Sequence, residues 1–212
     1  MNQPEKKPLI KRVWKKLTHR WIRVVDFHIM RRPLSLPNYK IPGGKRPHWF
    51  DFEVDENYMY NPTHEQIDTL EGHFPDQKLK IFHDAIDNPA IDFIARLMPE
   101  GGLWGYMMHS LEPMKDVEYG FTIPIIPGKE SLQFDGWVHP EKRGRLVAME
   151  GSNWMLDRRR GTGHEAIVIA VRSHDRPALK YHQRFGYENV GSIRHFRIGK
   201  LKWNKVEMEG RS

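Results

Sequence analysis

The spacing of apolar residues along the chain follows two patterns. Apolar residues three or four apart are typical of a helix with one buried face, and short apolar or alternating runs between Pro, Gly, Asn or Asp are typical of strands. Helical spacing covers residues 77–86, 146–160 and 177–185, and a further helix begins near Thr63. Strand patterns cover residues 24–30, 48–54, 91–97, 103–111, 117–126, 131–138, 166–171 and 190–198.

Three features of this pattern bear on the interior of the protein. Residues 166–171 form an unbroken apolar run, which is typical of a strand buried on both faces. The helix before it ends in three arginines, residues 158–160, and cations in a last turn followed by glycine are the usual signals of a helix end. Pro and Gly in residues 99–102 predict a hairpin between two strands.

The N-terminal part of the chain differs from the rest in charge and pattern. Residues 1–50 hold 13 Lys and Arg against two acids, a net charge of +11, whereas residues 51–212 hold 21 against 25, a net charge of −4. Pro and Gly between residues 32 and 47 predict an extended connector. We therefore divide the chain into a basic arm with its connector, residues 1–47, and a domain, residues 48–212. An apolar stripe at helical spacing in the arm consists of Ile10, Val13, Leu17, Trp21 and Val24.

The basic arm has several interpretations. It can pack on the domain through its apolar stripe, with a solvated basic face, or it can dock on an anionic membrane or an acidic carrier protein. Nucleic acid is the least favoured partner, because no recognition motif accompanies the arm and the rest of the chain is net acidic.

Composition narrows the class of protein. With 212 residues, the chain can form one domain with a full core and an extension. It has no cysteine, which excludes disulfides, zinc–thiolate sites and cysteine nucleophiles. Its 12 histidines show no metal-ligand spacing, so we expect no metal. It has no apolar run of the roughly 20 residues that cross a membrane and no secretory signal, so we expect a cytoplasmic protein, with peripheral attachment to the inner membrane face through the arm as a variant.

One loop combines the features of a phosphate site. It leads from a predicted strand into a predicted helix and has the sequence Val138-His139-Pro140-Glu141-Lys142-Arg143-Gly144-Arg145-Leu146-Val147-Ala148. A helix N-terminus presents free backbone N–H groups and the positive end of the helix dipole, and both bind pyrophosphate. Arg143 and Arg145 add cations that can reach a phosphate. Leu146 is bulky where the backbone would approach the phosphates, and its side chain is expected to point into the core.

A second motif follows the apolar strand and has the sequence Asp175-Arg176-Pro177-Ala178-Leu179-Lys180-Tyr181-His182-Gln183-Arg184-Phe185-Gly186-Tyr187. Together the two motifs resemble the acyl-CoA signature of the GCN5-related N-acetyltransferases (GNAT). In that signature Val-x-Pro-Glu leads into Arg-Gly-x-Gly-x-Gly/Ala, and Asn-x-x-Ala/Ser is followed by Tyr or His and then by Gly-Phe. Leu146, Asp175 and Tyr187 depart from it. The matching residues are Arg143, Gly144, Ala148, Ala178 and Gly186.

The resemblance implies a fold and a donor. Residues 90–198 carry it, whereas residues 48–89 share only the order of helices and strands. The implied fold is α/β, the GNAT acyl-CoA N-acyltransferase fold, with a mostly antiparallel mixed sheet, a central splayed pair of parallel strands and flanking helices. The implied donor is acetyl-CoA or another acyl-CoA, and its pantetheine would enter between the strands at residues 131–138 and 166–171.

The resemblance also implies site residues. By register, His182 would protonate the departing thiolate, with Tyr181 as the second choice, and Asp135 is the carboxylate we choose to take the proton of the amine. Glu112 and Glu118 are further candidates for the acceptor pocket. Each has a structural alternative, as a helix-surface histidine, a backbone-bonded Asp or a solvated strand face. The residues implied to bind the cofactor are Trp137, Val138, Arg143, Gly144, Arg145, Leu146, Val147, Ala148, Asp175 and Ala178, and a backbone N–H of Trp137 or Val138 would polarise the thioester.

The implied activity is that of a GNAT-type N-acetyltransferase. An acyl group, in the simplest case acetyl, passes from acyl-CoA to a primary amine by direct attack in a ternary complex. The acceptor is a small molecule or a peptide amine, and homodimers are common for such folds. Two alternatives stay open. One is a long-chain acyltransferase that uses acyl-CoA or acyl carrier protein at a membrane surface, which suits the basic arm; the other is an inactive acyl-CoA-binding module, which Leu146 favours.

Overall fold

Eight strands form one sheet in the computed structural model, which describes residues 22–39, 58–97, 102–143 and 147–209. The strands are β1 (Ile22–Pro33), β2 (Tyr58–Tyr60), β3 (Ile91–Leu97), β4 (Leu103–Ser110), β5 (Glu130–Val138), β6 (Ala166–Arg172), β7 (Glu188–Ile198) and β8 (Leu201–Met208). The helices are α1 (His64–Asp68), α2 (Asp76–Ile86), α3 (Val147–Gly161) and α4 (Arg176–Arg184). The strand order is β2-β3-β4-β5-β6-β1-β7-β8, and only β5 and β6 are parallel. The predicted α/β fold with a mostly antiparallel sheet is confirmed.

Strand β1 lies inside this sheet. It pairs with β6 on one side and with β7 on the other, both antiparallel. The strand predicted at residues 24–30 is therefore confirmed, but the division of the chain at residue 47 does not hold for residues 22–33, which belong to the sheet. The predicted amphipathic helix of the arm lies outside the described residues, apart from Val24. The side chains of β1 that are buried in the two faces of the sheet include Val25, Phe27, Ile29 and Met30.

Helices cover the two faces of the sheet. On one, the α3 face, Met155 of α3 packs against Ile94 and Met107 of the sheet, and α4 packs beside it on β6. On the other, the α2 face, Phe82 of α2 packs against Phe93. The loop between β4 and β5 covers the rest of the α2 face with buried aromatic and aliphatic side chains. No helix within the described ranges is long and apolar enough to cross a membrane.

The three arginines that end α3 fix this helix to the sheet. Arg159 is buried and forms an ion pair with Asp92 of β3, and Arg158 binds the same carboxylate at 3.1 Å. Tyr60 of β2 donates its hydroxyl to Asp92 at 2.6 Å. Arg160 donates to the backbone carbonyl of Leu34, just beyond β1, at 2.7 Å. The C-terminal end of α3 is thus tied to both halves of the sheet.

Two strand predictions need correction. Residues 117–126, predicted as a strand, form an irregular loop with a turn at Gly120, whose φ of +73° is outside the strand region. The chain was predicted to finish with a strand at residues 190–198, but β8 follows after a tight turn at Gly199. The strand predicted at residues 48–54 lies outside the described residues. The other predicted helices and strands of the described ranges are confirmed to within a few residues.

The interior position of β1 predicts how substitutions in this strand change the free energy of unfolding of the protein. Ile29 is fully buried, whereas Val24 on the same strand is 49% exposed. Replacing Ile29 with Ala should lower the free energy of unfolding by about 2–5 kcal/mol, because it leaves a cavity between the layers. The matched change Val24→Ala should lower it by less than about 1 kcal/mol. Urea denaturation measures both, and equal effects would contradict an inner position for β1.

Candidate active site

A cleft opens where β5 and β6 separate. The two strands pair for four residues only, the last pair being Gln133 with Ile169, and β5 then continues to Val138 without pairing to β6. A cavity of about 420 Å³ occupies the gap. Its walls are the second half of β5, the end of β6 and the first turns of α3 and α4. The predicted splayed pair of parallel strands is therefore present, and the cavity reaches from one face of the sheet to the other.

A β-bulge at Phe134 decides which side chains of β5 point to each face. Gln133 and Asp135 pair with adjacent residues of β4, so Phe134 is the extra residue. Because one inserted residue shifts the alternation of a strand, Asp135 lies on the α2 face, and Gly136 and Val138 lie on the α3 face. The cleft thus has a carboxylate on one side of the sheet and a nearly bare backbone on the other.

The end of β5 directs one backbone N–H toward the cleft. His139 donates its N–H to the Trp104 carbonyl of β4 at 2.8 Å. Since N–H groups of successive residues point to opposite sides of a strand, the N–H of Val138 points away from β4, to the cleft side, and that of Trp137 points to β4. Arg143 donates its Nε to the Val138 carbonyl at 3.2 Å, which places its guanidinium at the same end of the strand.

The N-terminus of α3 lies at the cleft. A short 3₁₀ helix, Pro140–Lys142, follows β5, and Arg143 after it is exposed. Helix α3 begins at Val147, and Ala148 in its first turn lines the cavity. The positive end of the α3 dipole therefore faces the cavity, as a phosphate site requires. Residues 144–146 of the predicted phosphate loop lie outside the described residues.

Helix α4 forms the opposite wall. Asp175 caps the helix, because its carboxylate accepts the backbone N–H of Ala178 at 3.1 Å. An Asn side chain could accept the same bond, which explains why Asp is tolerated at this position. Ala178, Tyr181 and His182 are three and four residues apart, so they share one face of the helix, and all three line the cavity.

Burial sets the protonation of the two α4 side chains. Burial lowers the pKa of His182 to about 4, although the Asp175 carboxylate raises it in part, so the imidazole is neutral at pH 7. Burial raises the pKa of the Tyr181 phenol, and Ser152 of α3 lowers it in part. Within the described residues neither the Tyr181 hydroxyl nor His182 Nδ1 has a partner at hydrogen-bonding distance. Both residues line the cavity, while these two atoms themselves are buried.

Asp135 is held on the α2 face by two groups. Lys78 of α2 forms an ion pair with Oδ2, and the Tyr106 hydroxyl of β4 donates to Oδ1 at 3.2 Å. Burial and the nearby Asp135 carboxylate raise the pKa of Tyr106, so this phenol remains a donor. The Lys78 and Asp135 side chains are 24% and 25% exposed. Asp135 bonds side chains rather than neighbouring backbone, and it lines the cavity.

The structure does not bring the other two predicted carboxylates to the cleft. Glu112 and Glu118 were considered as candidates for the acceptor pocket, with a solvated strand face as the alternative. Both lie exposed in the loop between β4 and β5, and Glu118 forms ion pairs with Arg23 and Arg172 at 3.3 and 3.0 Å. They are therefore solvated, as in the alternative, although they lie in a loop and not on a strand. Among the described residues, no group of three or more His, Asp or Glu side chains could hold a metal ion.

No family model and no curated protein matches the sequence. A tandem GNAT protein from the clavulanic acid biosynthesis pathway, solved without acetyl-CoA, matches in structure with a TM-score of 0.50 and 13% identity. The match covers 97% of this chain and 60% of that protein, so the chain spans less than two thirds of its relative.

The GCN5-related glucosamine N-acetyltransferase region of a fungal multi-domain GH3 β-N-acetylglucosaminidase also matches. Its TM-score is 0.50 at 15% identity, over 92% of this chain and 24% of the fungal one. This chain has the GNAT fold. A conserved protein of unknown function from Staphylococcus epidermidis matches too, with a TM-score of 0.52 and 10% identity over 95% of this chain and 71% of that protein. At such identities the likeness concerns the fold.

Several residues of the cleft in this GNAT fold were missed by the sequence analysis. Lys78 and Tyr106 hold Asp135, yet they come from a helix and a strand that precede both recognised motifs. Ser152 lies beside Tyr181 from the second turn of α3. Of these residues, only Lys78 could have been noticed in the sequence. A cation in the first turn of a helix opposes the helix dipole, which suggests that it has an acidic partner elsewhere.

The lowered pKa of His182 predicts a pH dependence of stability. In the unfolded chain a His has a pKa of about 6.5, so between about pH 6.5 and 4 the unfolded state binds the additional proton. The free energy of unfolding should therefore fall as the pH falls through this window, by about 3 kcal/mol from His182. His182→Gln should remove that part of the slope, and exposed His174→Gln should keep it. Urea denaturation at several pH values measures it, and identical slopes in both variants would contradict a buried neutral His182.

Proposed function

We propose that the protein is a CoA-dependent N-acyltransferase that transfers an acyl group, most simply acetyl, to a primary amine by direct attack. The observation that carries the proposal is the cleft itself. It joins a helix N-terminus, a free strand edge and two proton-bearing side chains on the α3 face to a carboxylate on the α2 face. Donor and acceptor can therefore meet in the gap between β5 and β6 from opposite faces of the sheet.

The α3 face fits the donor. The helix dipole of α3 and the exposed guanidinium of Arg143 supply positive charge for the pyrophosphate of CoA. The bare edge of β5 offers backbone groups that can bind the amides of pantetheine. Strand β6 diverges before it covers that edge, and Arg143 is bonded to its Val138 carbonyl.

The acyl transfer needs three groups, and the cleft offers one for each step. The N–H of Val138 would polarise the thioester carbonyl and stabilise the tetrahedral oxyanion. Asp135 would take the proton that the acceptor amine loses. A proton would then go to the departing thiolate. Tyr181 suits this last step better than His182, because its phenol keeps its proton at pH 7, whereas an imidazolium with a pKa of about 4 is scarcely populated there.

The surroundings of Asp135 favour a cationic acceptor. Its carboxylate lies next to the rings of Tyr106 and Trp137, whose centroids are 6.3 Å apart with nearly parallel planes. Carboxylates and aromatic faces both bind ammonium groups. The protonated form of a primary amine would therefore be drawn to the α2 face before it loses its proton. The two Glu residues first considered for the acceptor are too exposed to add to this site.

We expect CoA to stabilise the protein and Arg143 to be needed for it. At about 100 times its dissociation constant, CoA should raise the free energy of unfolding by roughly 2.7 kcal/mol. Arg143→Glu should weaken CoA binding by about 10- to 100-fold, since it replaces a charge-assisted phosphate contact with a repulsive one. The matched change Arg184→Glu, at the far end of α4, should leave binding unchanged.

The measurement is thermal unfolding at fixed salt with free CoA, acetyl-CoA, a long-chain acyl-CoA or no ligand. A shift with acetyl-CoA supports the proposal, and a larger shift with the long chain redirects it to a long-chain donor. If none of the three ligands shifts the midpoint, the protein is not a CoA-dependent acyltransferase.

We expect substitutions of Tyr181 and His182 to have different effects on turnover. Tyr181→Phe should lower kcat by about 10²–10⁴-fold with little change in the affinity for acyl-CoA, since it removes the proton donor but keeps the ring. His182→Phe should lower kcat much less. Steady-state kinetics with acetyl-CoA and a primary amine, paired with CoA titration of each variant, tests this. A larger loss in the His182 variant would assign the proton to the imidazole.

A further inference from the structure

One cation of this chain already occupies the place of an acceptor amine. The Lys78 ammonium is paired with Oδ2 of Asp135 and lies 5.0 Å from the centre of the Tyr106 ring and 5.5 Å from that of Phe82. With Tyr106 on Oδ1, both carboxylate oxygens have a partner. Among the described residues, Lys78 is the amine that Asp135 holds.

The neighbouring lysine shows what an ordinary surface pair on α2 is like. Lys80 binds Asp84 at 2.9 Å, one turn along the same helix, and their side chains are 74% and 61% exposed. Such a pair is local and contributes little to stability. Lys78 instead reaches a different element and is three-quarters buried, and its partner Asp135 lines the cavity.

Helix energetics do not explain a lysine at this position. Lys78 is the third residue of α2, where a cation opposes the positive end of the helix dipole. The N-cap residue, Pro75, offers no side-chain hydrogen bond that would offset this. Asp76 in the same turn is favourable for the dipole, but the partner that Lys78 itself contacts is Asp135.

We propose that Lys78 is an acyl acceptor of the protein's own reaction, so that the chain acylates itself at this residue. The inference rests on the proposed function. A proton passes from the Lys78 ammonium to Asp135, and the free amine attacks the thioester carbon of the bound acyl-CoA. The C–S bond breaks, the C–N amide bond forms, and the thiolate leaves with a proton from the α4 side of the cleft. The amide nitrogen loses its second proton to solvent. The products are N-acyl-Lys78, CoA–SH and one released proton.

Acylation would also change the cleft. The amide has no charge, so it no longer pairs with Asp135, and one carboxylate oxygen becomes available to another amine. Lysine has a flexible four-carbon stem, so Nζ can move along the cleft wall while α2 stays in place.

The test is incubation of the whole chain with acetyl-CoA, followed by intact mass measurement and peptide mapping. We expect one acetyl group per chain, on Lys78, formed at a rate that does not depend on protein concentration. Lys78→Arg should abolish it, and Lys80→Arg, the matched control, should leave it unchanged. Arg143→Glu should slow it at limiting acetyl-CoA, because the bound donor is the reactant.

The outcomes separate the two hypotheses. If acetyl-CoA shifts the thermal midpoint and an external amine is acetylated, but Lys78 stays unmodified, self-acylation is wrong and the proposed function stands. Equal labelling of Lys78 and Lys80 also overturns it, since chemical acetylation does not select a paired lysine. If acetyl-CoA neither binds nor modifies the chain, the proposed function fails and this inference fails with it.

Discussion

The β-bulge at Phe134 is the constraint on which the cleft depends. Strict alternation from Leu132, which is buried on the α2 face, would put Asp135 on the α3 face beside the cofactor wall. The extra residue reverses this, and it falls one position after Gln133, where the pairing of β5 with β6 ends. Bulges bend a strand and increase its twist. One inserted residue thus accounts for both the gap in the sheet and the side on which the carboxylate lies.

The walls of the gap are supported from a distance. The N-terminal turns of α3 line the cavity, but the helix is fixed at its other end, where Arg159 and Arg158 share the Asp92 carboxylate. Separating the partners of a buried ion pair would leave an uncompensated charge, which is costly. The pair therefore fixes the C-terminal end of α3 on the sheet. Next to it the buried His109 has its pKa lowered by burial and by Arg159, and it adds no further charge. The N-terminal end of α3 is joined to the sheet by a second ion pair, between Glu150 of its first turn and Arg96 of β3 at 3.3 Å.

The sequence predicted what depends on local pattern. The positions of α3 and α4 after their strands follow from spacing within a few residues. What it could not predict depends on pairing between distant segments. The position of β1 between β6 and β7 depends on pairing with segments more than 130 residues away in the sequence, and a bulge has no sequence signal of its own. For the same reason, Lys78 could be noticed as an ill-placed cation but not matched to Asp135.

Proton handling is divided by the sheet. On the α2 face lies a carboxylate that pairs with cations, and on the α3 face lie a phenol that keeps its proton and an imidazole that stays neutral at pH 7. In the proposed reaction, the group that takes a proton from the amine and the group that gives one to the thiolate would therefore be different residues on opposite faces of the sheet. Burial favours the uncharged forms of both Tyr181 and His182. These two side chains therefore need no oppositely charged partner on the α3 face. The positive charge there is left to α3 and Arg143, where a pyrophosphate can use it.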